Sequence, residues 1–140
     1  IEQIAAAINP QLESLSDSIQ VMAEPGRYLV GSAGCLVSQV MGSATRDNSR
    51  WLYLDLGFYS GLIELEQGIA FTLISQRTGA AELWSVAGPT CDAIDVLGKH
   101  YLPATMAPED LVFVPNTGAY SLCCASDFND CAIPRLVMVA

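Results

Sequence analysis

From Arg50 onward the apolar residues come in short runs: "WLYLDLGF", "IAFTLI", "AELWSVAG", "DLVFVPNTGAYS" and "RLVMVA". Each is bounded by Gly, Pro, Asn or Asp, and runs of that length with such punctuation are strands rather than helices. Their regular spacing predicts a mainly β fold, an antiparallel barrel or sandwich. Residues 28–42 extend the pattern upstream. They form a long apolar stretch interrupted by Gly31, Gly34 and Gly42, which a bent strand accommodates better than a helix. The stretch Cys91–Leu97 gives no clear signal, and Pro103–Asp110 reads as a polar connection. "LGKHYLP" (97–103) reads as a polar loop, so Lys99 and His100 are expected as solvated surface groups rather than an acid–base couple.

The first 27 residues differ. Ile1, Ile4, Ala5, Ile8, Leu12 and Leu15 recur with a period near 3.6, which predicts an amphipathic helix over 1–16. Asn9-Pro10 predicts a kink or two short helices. A strand is expected over Ile19–Ala23, followed by a turn at Glu24-Pro25-Gly26-Arg27. One helix and one strand cannot close a sheet. Residues 1–27 therefore read as the last helix and strand of a domain whose other elements lie outside this chain, and 28–140 as a second, β domain. The chain opens on Ile1 rather than Met, as a fragment, a processed chain or an ordered remnant does.

At 140 residues and 51% hydrophobic, the chain is long enough for a sizeable core. Its formal charge is −9, from 15 acidic and 6 basic residues. No basic stripe is present to release counterions from a nucleic acid, so nucleic-acid binding is not expected. No run approaches the roughly 18–20 apolar residues that span a bilayer. No basic segment leads into an apolar one at the start, so neither a membrane span nor a secretory signal is expected. The five cysteines are odd in number and lack metal-type spacing. Most are expected as buried small apolar residues in a reducing cytoplasm, with no disulfide framework and no metal bound.

Glu24 and Arg27 stand at the end of the expected strand, where an unpaired charge is costly. Either they satisfy each other or both face a charged ligand. Two further stretches bear on the choice: "GPTCDAIDVL" (88–97), and "GAYS" (118–121) with "FN" at 128–129. Each is weak alone. In this order and spacing, with "AEPGRYLVG" (23–31), they resemble the C-terminal part of the fold-type III, pyridoxal-phosphate-dependent basic amino acid decarboxylases, the ornithine and lysine decarboxylase family. "WLYLDLGFYSGLIE" (51–64) resembles the bacterial branch. The resemblance covers essentially the whole chain.

That resemblance implies a C-terminal β-barrel preceded by the last helix and strand of a (β/α)8 barrel carrying the cofactor lysine. It also implies a head-to-tail homodimer with shared active sites. Glu24 would sit against the pyridine nitrogen of pyridoxal 5'-phosphate and keep it protonated. Arg27 would bind the phosphate as a planar, charge-assisted donor, and Gly26 would let the backbone approach it. The hydroxyl of Tyr120 would reach the same phosphate. Cys91 would be the catalytic residue, guiding protonation of the decarboxylated carbon in the partner protomer's site. Asp92 would bind the distal ammonium of a cationic amino acid substrate, and Phe128 would line the site. In diaminopimelate decarboxylases a glutamate follows the cysteine, so Asp92 favours ornithine or lysine.

The sequence departs from the family in two places. Asp130 stands where the family continues "FN" with glycine. Leu56 occupies the position before Gly57 where animal ornithine decarboxylases carry a substrate-binding aspartate. Asp55 lies one residue earlier, on the opposite face of a regular strand, and reaches substrate only if the strand is bulged. Lys99 is the only lysine, so the cofactor lysine is expected elsewhere, in a removed N-terminal half or a separate barrel subunit, and the chain alone should be inactive. Two alternatives stay open: a non-catalytic regulatory homologue, and a related decarboxylase of a natural-product pathway.

Overall fold

Six strands carry the fold of the computed structural model, which describes residues 1–139. They are β1 (Cys35–Arg46), β2 (Ser49–Leu54), β3 (Ile74–Ser75), β4 (Ala81–Ala87), β5 (Val96–Pro103) and β6 (Leu111–Pro115). Their order in one sheet is β3-β6-β1-β2-β4-β5. The two edges, β3 and β5, come into contact, so the sheet curls into a nearly closed barrel. The inward faces of β1, β2, β4 and β6 supply Val40, Leu52, Leu54, Trp84, Val86, Val112 and Val114 to the core. This is the alternation that a sheet with one buried face requires.

β1 and β2 form a hairpin whose two-residue turn is Asp47-Asn48, both with positive φ (48° and 61°). Asp and Asn tolerate that conformation, and the resulting turn matches the strand twist. The bent strand expected over 28–42 begins only at Cys35, since 28–30 form a turn and Gly31–Ala33 a 3-10 helix; its bend is the bulge of β1 between Val40 and Gly42. The sheet is not wholly antiparallel: β2 pairs with β4 in parallel, Arg50 opposite Trp84. The long connection from Asp55 to Ala80 makes that pairing possible, since parallel neighbours need a crossover.

"LGKHYLP" is strand, not loop. Leu97 and Leu102 are five residues apart, and a strict period of two would place them on opposite faces. A register shift between Val86 and Ala87 sets Gly98 opposite Val86 and Val96 opposite Ala87. Leu97 is therefore the extra residue, and both leucines point inward. Lys99 and Tyr101 face out, and the His100 ring makes a 2.9 Å hydrogen bond with the Leu97 carbonyl.

Other expected elements are shorter or absent. Only Ile74 and Ser75 of the "IAFTLI" region join the sheet, through β6. Residues 135–139 of "RLVMVA" form no strand and are exposed, while Ala140 lies outside the described residues. Residues 19–23 likewise pair with no strand, and Ile19, Val21 and Met22 are exposed. An apolar run becomes a strand only against a free edge, and the two edges of this sheet face each other. The helix α1 (Glu2–Glu13) continues through Pro10 as one element and buries none of its residues.

Candidate functional site

The loop bearing Cys91 and Asp92 is built around Asp95, which is only 1% exposed. Its Oδ1 accepts from the Phe58 amide at 2.7 Å, and its Oδ2 from the Thr90 amide and hydroxyl at 2.9 and 2.7 Å. Its own backbone closes the loop: Gly88 N–H donates to Asp95 O at 2.8 Å, and Asp95 N–H to Asp92 O at 3.0 Å. The carboxylate fits because two glycines face it. A Cβ on Gly57 would stand 1.9 Å from Oδ1, and one on Gly88 2.2 Å from it. Gly57 and Gly88 thus admit the anion that fastens the turn after β2 to the loop after β4.

Cys91 and Asp92 lie on the exposed side of this loop. The cysteines are not the buried apolar residues expected: Cys35, Cys91 and Cys123 are exposed and Cys124 and Cys131 half-buried, because none lies on the inward face of a strand. The phenol of Tyr59 donates to Asp92 Oδ2 at 2.6 Å, and Ile94 N–H donates to Oδ1 at 3.1 Å. The same phenol hydrogen bond pushes the Tyr59 pKa up to about 12, with partial desolvation adding to it. That bond, followed by the Ile94 amide, holds the Asp92 carboxyl below the usual carboxylate range. The Tyr59 ring stacks on Phe128, centroids 4.1 Å apart, and Tyr59 O accepts from Ser126 N–H at 2.9 Å. Asp92 and Phe128 are therefore joined through Tyr59.

A second cluster gathers Gly26, Arg27, Glu64 and Tyr120. Arg27 Nη2 donates to Glu64, which is 7% exposed, and that pairing raises the Arg27 pKa. The guanidinium carbon lies 5.8 Å from the centre of the Tyr120 ring. A Cβ on Gly26 would be 3.6 Å from the Tyr120 hydroxyl. Backbone bonds set this proximity, from Gly118 N–H to Gly31 O at 2.9 Å and from Thr117 N–H to Gly34 O at 3.0 Å. Tyr120 itself adopts a left-handed conformation, with φ 54°.

One segment serves both clusters, since residues 57–64 carry Tyr59 to the first and Glu64 to the second. The structure thus brings Gly26, Arg27 and Tyr120 together, and sets Cys91 and Asp92 on one loop beside Phe128. It does not bring Glu24 to Arg27: the arginine's partner is Glu64, and Glu24 is exposed. Asp55 is engaged elsewhere. Its Oδ1 accepts from the Ser38 hydroxyl at 2.7 Å and from the Gln39 amide at 2.8 Å, beside the bulge of β1. Leu56 points into the core. Asp95, Tyr59 and Glu64 were not singled out by the sequence, although each lies in or beside a motif it contains.

Residues 19–118 match the family described as pyridoxal-dependent decarboxylase, C-terminal sheet domain. The lysine/ornithine decarboxylase of Selenomonas ruminantium is 35% identical over 126 residues, covering 88% of this chain and 32% of the relative. The ornithine decarboxylase of Rattus norvegicus is 31% identical, covering 99% of this chain and 35% of the relative. The chain thus spans about a third of the length of these curated relatives. Among solved structures, the lysine/ornithine decarboxylase of Vibrio vulnificus complexed with cadaverine superposes with a TM-score of 0.86. It is 35% identical, and the match covers 94% of this chain and 37% of that one. This chain belongs to the pyridoxal-dependent decarboxylase family, whose C-terminal sheet domain it contains.

Proposed function

We propose that this chain is the C-terminal portion of a pyridoxal-phosphate-dependent decarboxylase that converts L-ornithine or L-lysine to a diamine and CO₂ in the cytoplasm. The observation that carries the reading is the pair of clusters assembled on the segment 57–64. One offers phosphate donors and the other presents a thiol and a carboxylate side by side. Relatives solved with putrescine and cadaverine support a diamine product. A (β/α)8 barrel bearing the cofactor lysine completes the enzyme. Residues 1–27 supply its last helix, and 19–23, which pair with no strand in this chain, become its last strand on joining it; two such chains pair head to tail.

The residues present fit the cofactor. Only Nη2 of Arg27 is taken by Glu64, so the remaining guanidinium N–H groups are free for a phosphate. The Tyr120 hydroxyl adds a neutral donor, and Gly26 allows close approach beside it. When bound, the cofactor supplies an electron sink for the pair left as CO₂ departs. Glu24 holds a proton on the pyridine nitrogen. Asp92 grips the distal ammonium, and Phe128 lines the apolar stem of the substrate. Cys91 delivers a proton to the carbon that lost CO₂, in the partner protomer's site.

Mixed dimers of the complete enzyme test this reading. One protomer carries Cys91→Ala and the other lacks the cofactor lysine. If Cys91 acts across the interface, both defects fall in one site and the other site is intact. About half the activity of a normal dimer should then return, for independent sites. Mixed dimers of confirmed composition that recover no activity refute the trans role of Cys91.

A further inference from the structure

We propose that Tyr59 is a positioning residue for substrate recognition, holding the Asp92 carboxylate in its gripping orientation and coupling it to the Phe128 wall. This rests on the reading of Asp92 as the ammonium ligand. Asp92 stands on the exposed side of its loop, where a carboxylate free to rotate loses side-chain entropy when it captures a cation. Two donors remove that freedom. Tyr59 fixes Oδ2 at 2.6 Å and the Ile94 amide fixes Oδ1 at 3.1 Å. Each carboxylate oxygen keeps a further lone pair, so both can still accept from an ammonium.

A phenol can orient another group only if it is itself held, and Tyr59 is held from three sides. Its neighbour Phe58 donates its amide to Asp95. Its carbonyl accepts from Ser126. Its ring lies on Phe128 with an interplanar angle of 25°. One side chain thereby ties three separate segments: the turn after β2, the Cys91–Asp95 loop and the 126–130 turn. Displacing Tyr59 would move the charged end and the apolar wall of the site together, which makes it a determinant of the reach between them.

The test uses the complete, cofactor-loaded enzyme and titrates putrescine calorimetrically against wild type, Tyr59→Phe, Asp92→Ala and the double variant. Phenylalanine keeps the ring on Phe128 and removes only the hydroxyl. We expect Tyr59→Phe to weaken putrescine by roughly two- to tenfold, the range of one lost hydrogen bond. Cofactor affinity should stay unchanged, and KM for the amino acid should rise more than kcat falls. Asp92→Ala should weaken putrescine further, and adding Tyr59→Phe to it should change nothing more, because the phenol acts through that carboxylate. Unchanged putrescine affinity in Tyr59→Phe, or effects that simply multiply in the double variant, would overturn the inference. Unchanged affinity in Asp92→Ala would instead overturn the ammonium-binding reading, and the inference with it.

Discussion

Replacing Asp95 with alanine should release the Cys91–Asp92 loop while leaving the barrel assembled. The carboxylate accepts from two amides and a hydroxyl in a site closed to water. A hydrogen bond to a charged group is worth about 1.5–3 kcal/mol, and a buried donor left unpaired bears its own desolvation cost. The three losses share one acceptor pair and do not add, which points to a total of about 3–5 kcal/mol. Alanine is the informative substitution because an asparagine oxygen would keep one acceptor in place. Hydrogen exchange in the complete enzyme reads the effect locally. Each amide loses one such bond, about 1.5–3 kcal/mol, so at about 1.4 kcal/mol per tenfold the Phe58 and Thr90 amides should each exchange roughly 10–150 times faster. The amides within β1 and β2 should keep their protection, and turnover should fall more than cofactor affinity. If Phe58 and Thr90 exchange as slowly as in wild type, Asp95 does not fasten the loop and its packing against Gly57 and Gly88 has another basis.

Arg27→Ala in the complete enzyme should weaken cofactor binding by about 1.5–3 kcal/mol, but it also leaves Glu64 buried and unpaired. Arg27→Ala with Glu64→Gln should recover the melting temperature and not the affinity; recovered affinity would show that Arg27 does not hold the phosphate. Asp110 tests the barrel's acid limb. The Arg77 guanidinium holds its carboxyl below the usual range, aided by the Ala107 amide against partial desolvation. A depressed folded pKa gives stability that is complete above the ordinary carboxylate value, about pH 4, and is lost as pH falls through the folded value. Asp110→Asn should therefore flatten the loss of melting temperature below about pH 4, and an unchanged acid limb would refute the pairing.

The fold was legible where alternation and burial coincide. In β6 every second residue is buried, and in β2 Leu52 and Leu54 alternate with less buried neighbours, so local pattern and tertiary role agree. It was illegible where the ladder departs from period two, as at Leu97. It also failed where an apolar run lacks an edge to join, as in 19–23 and 135–139. The parallel pairing of β2 with β4 was likewise out of reach, because a strand's own pattern does not record its neighbour's direction. Of the site, the residues with distinctive chemistry beside Gly or Pro stood out: Gly26, Arg27, Cys91 and Asp92. Those that hold them did not, since an aspartate, a glutamate or a tyrosine in a turn has an ordinary surface explanation.

Asp95 and Glu64 show why that second group is harder to see. Glu64 is buried against a donor 37 residues away, Arg27, and Asp95, though Thr90 satisfies its Oδ2 locally, relies for its Oδ1 on Phe58, also 37 residues away. No local window contains both halves of such a pair, so the cost of burial and its compensation never appear together in the sequence. The contrast with the exposed apolar residues runs the other way. Ile4, Ile8, Val21, Met22, Leu29 and Leu136 remain exposed although the same chain buries the inner face of its barrel efficiently. A large exposed apolar surface signals a missing contact rather than a failure of folding. Ile4 and Ile8 lie on α1, and Val21 and Met22 precede Arg27, all within the part proposed here to complete a (β/α)8 barrel. The barrel that would bring the cofactor lysine to Arg27 is thus also the element that would cover these side chains.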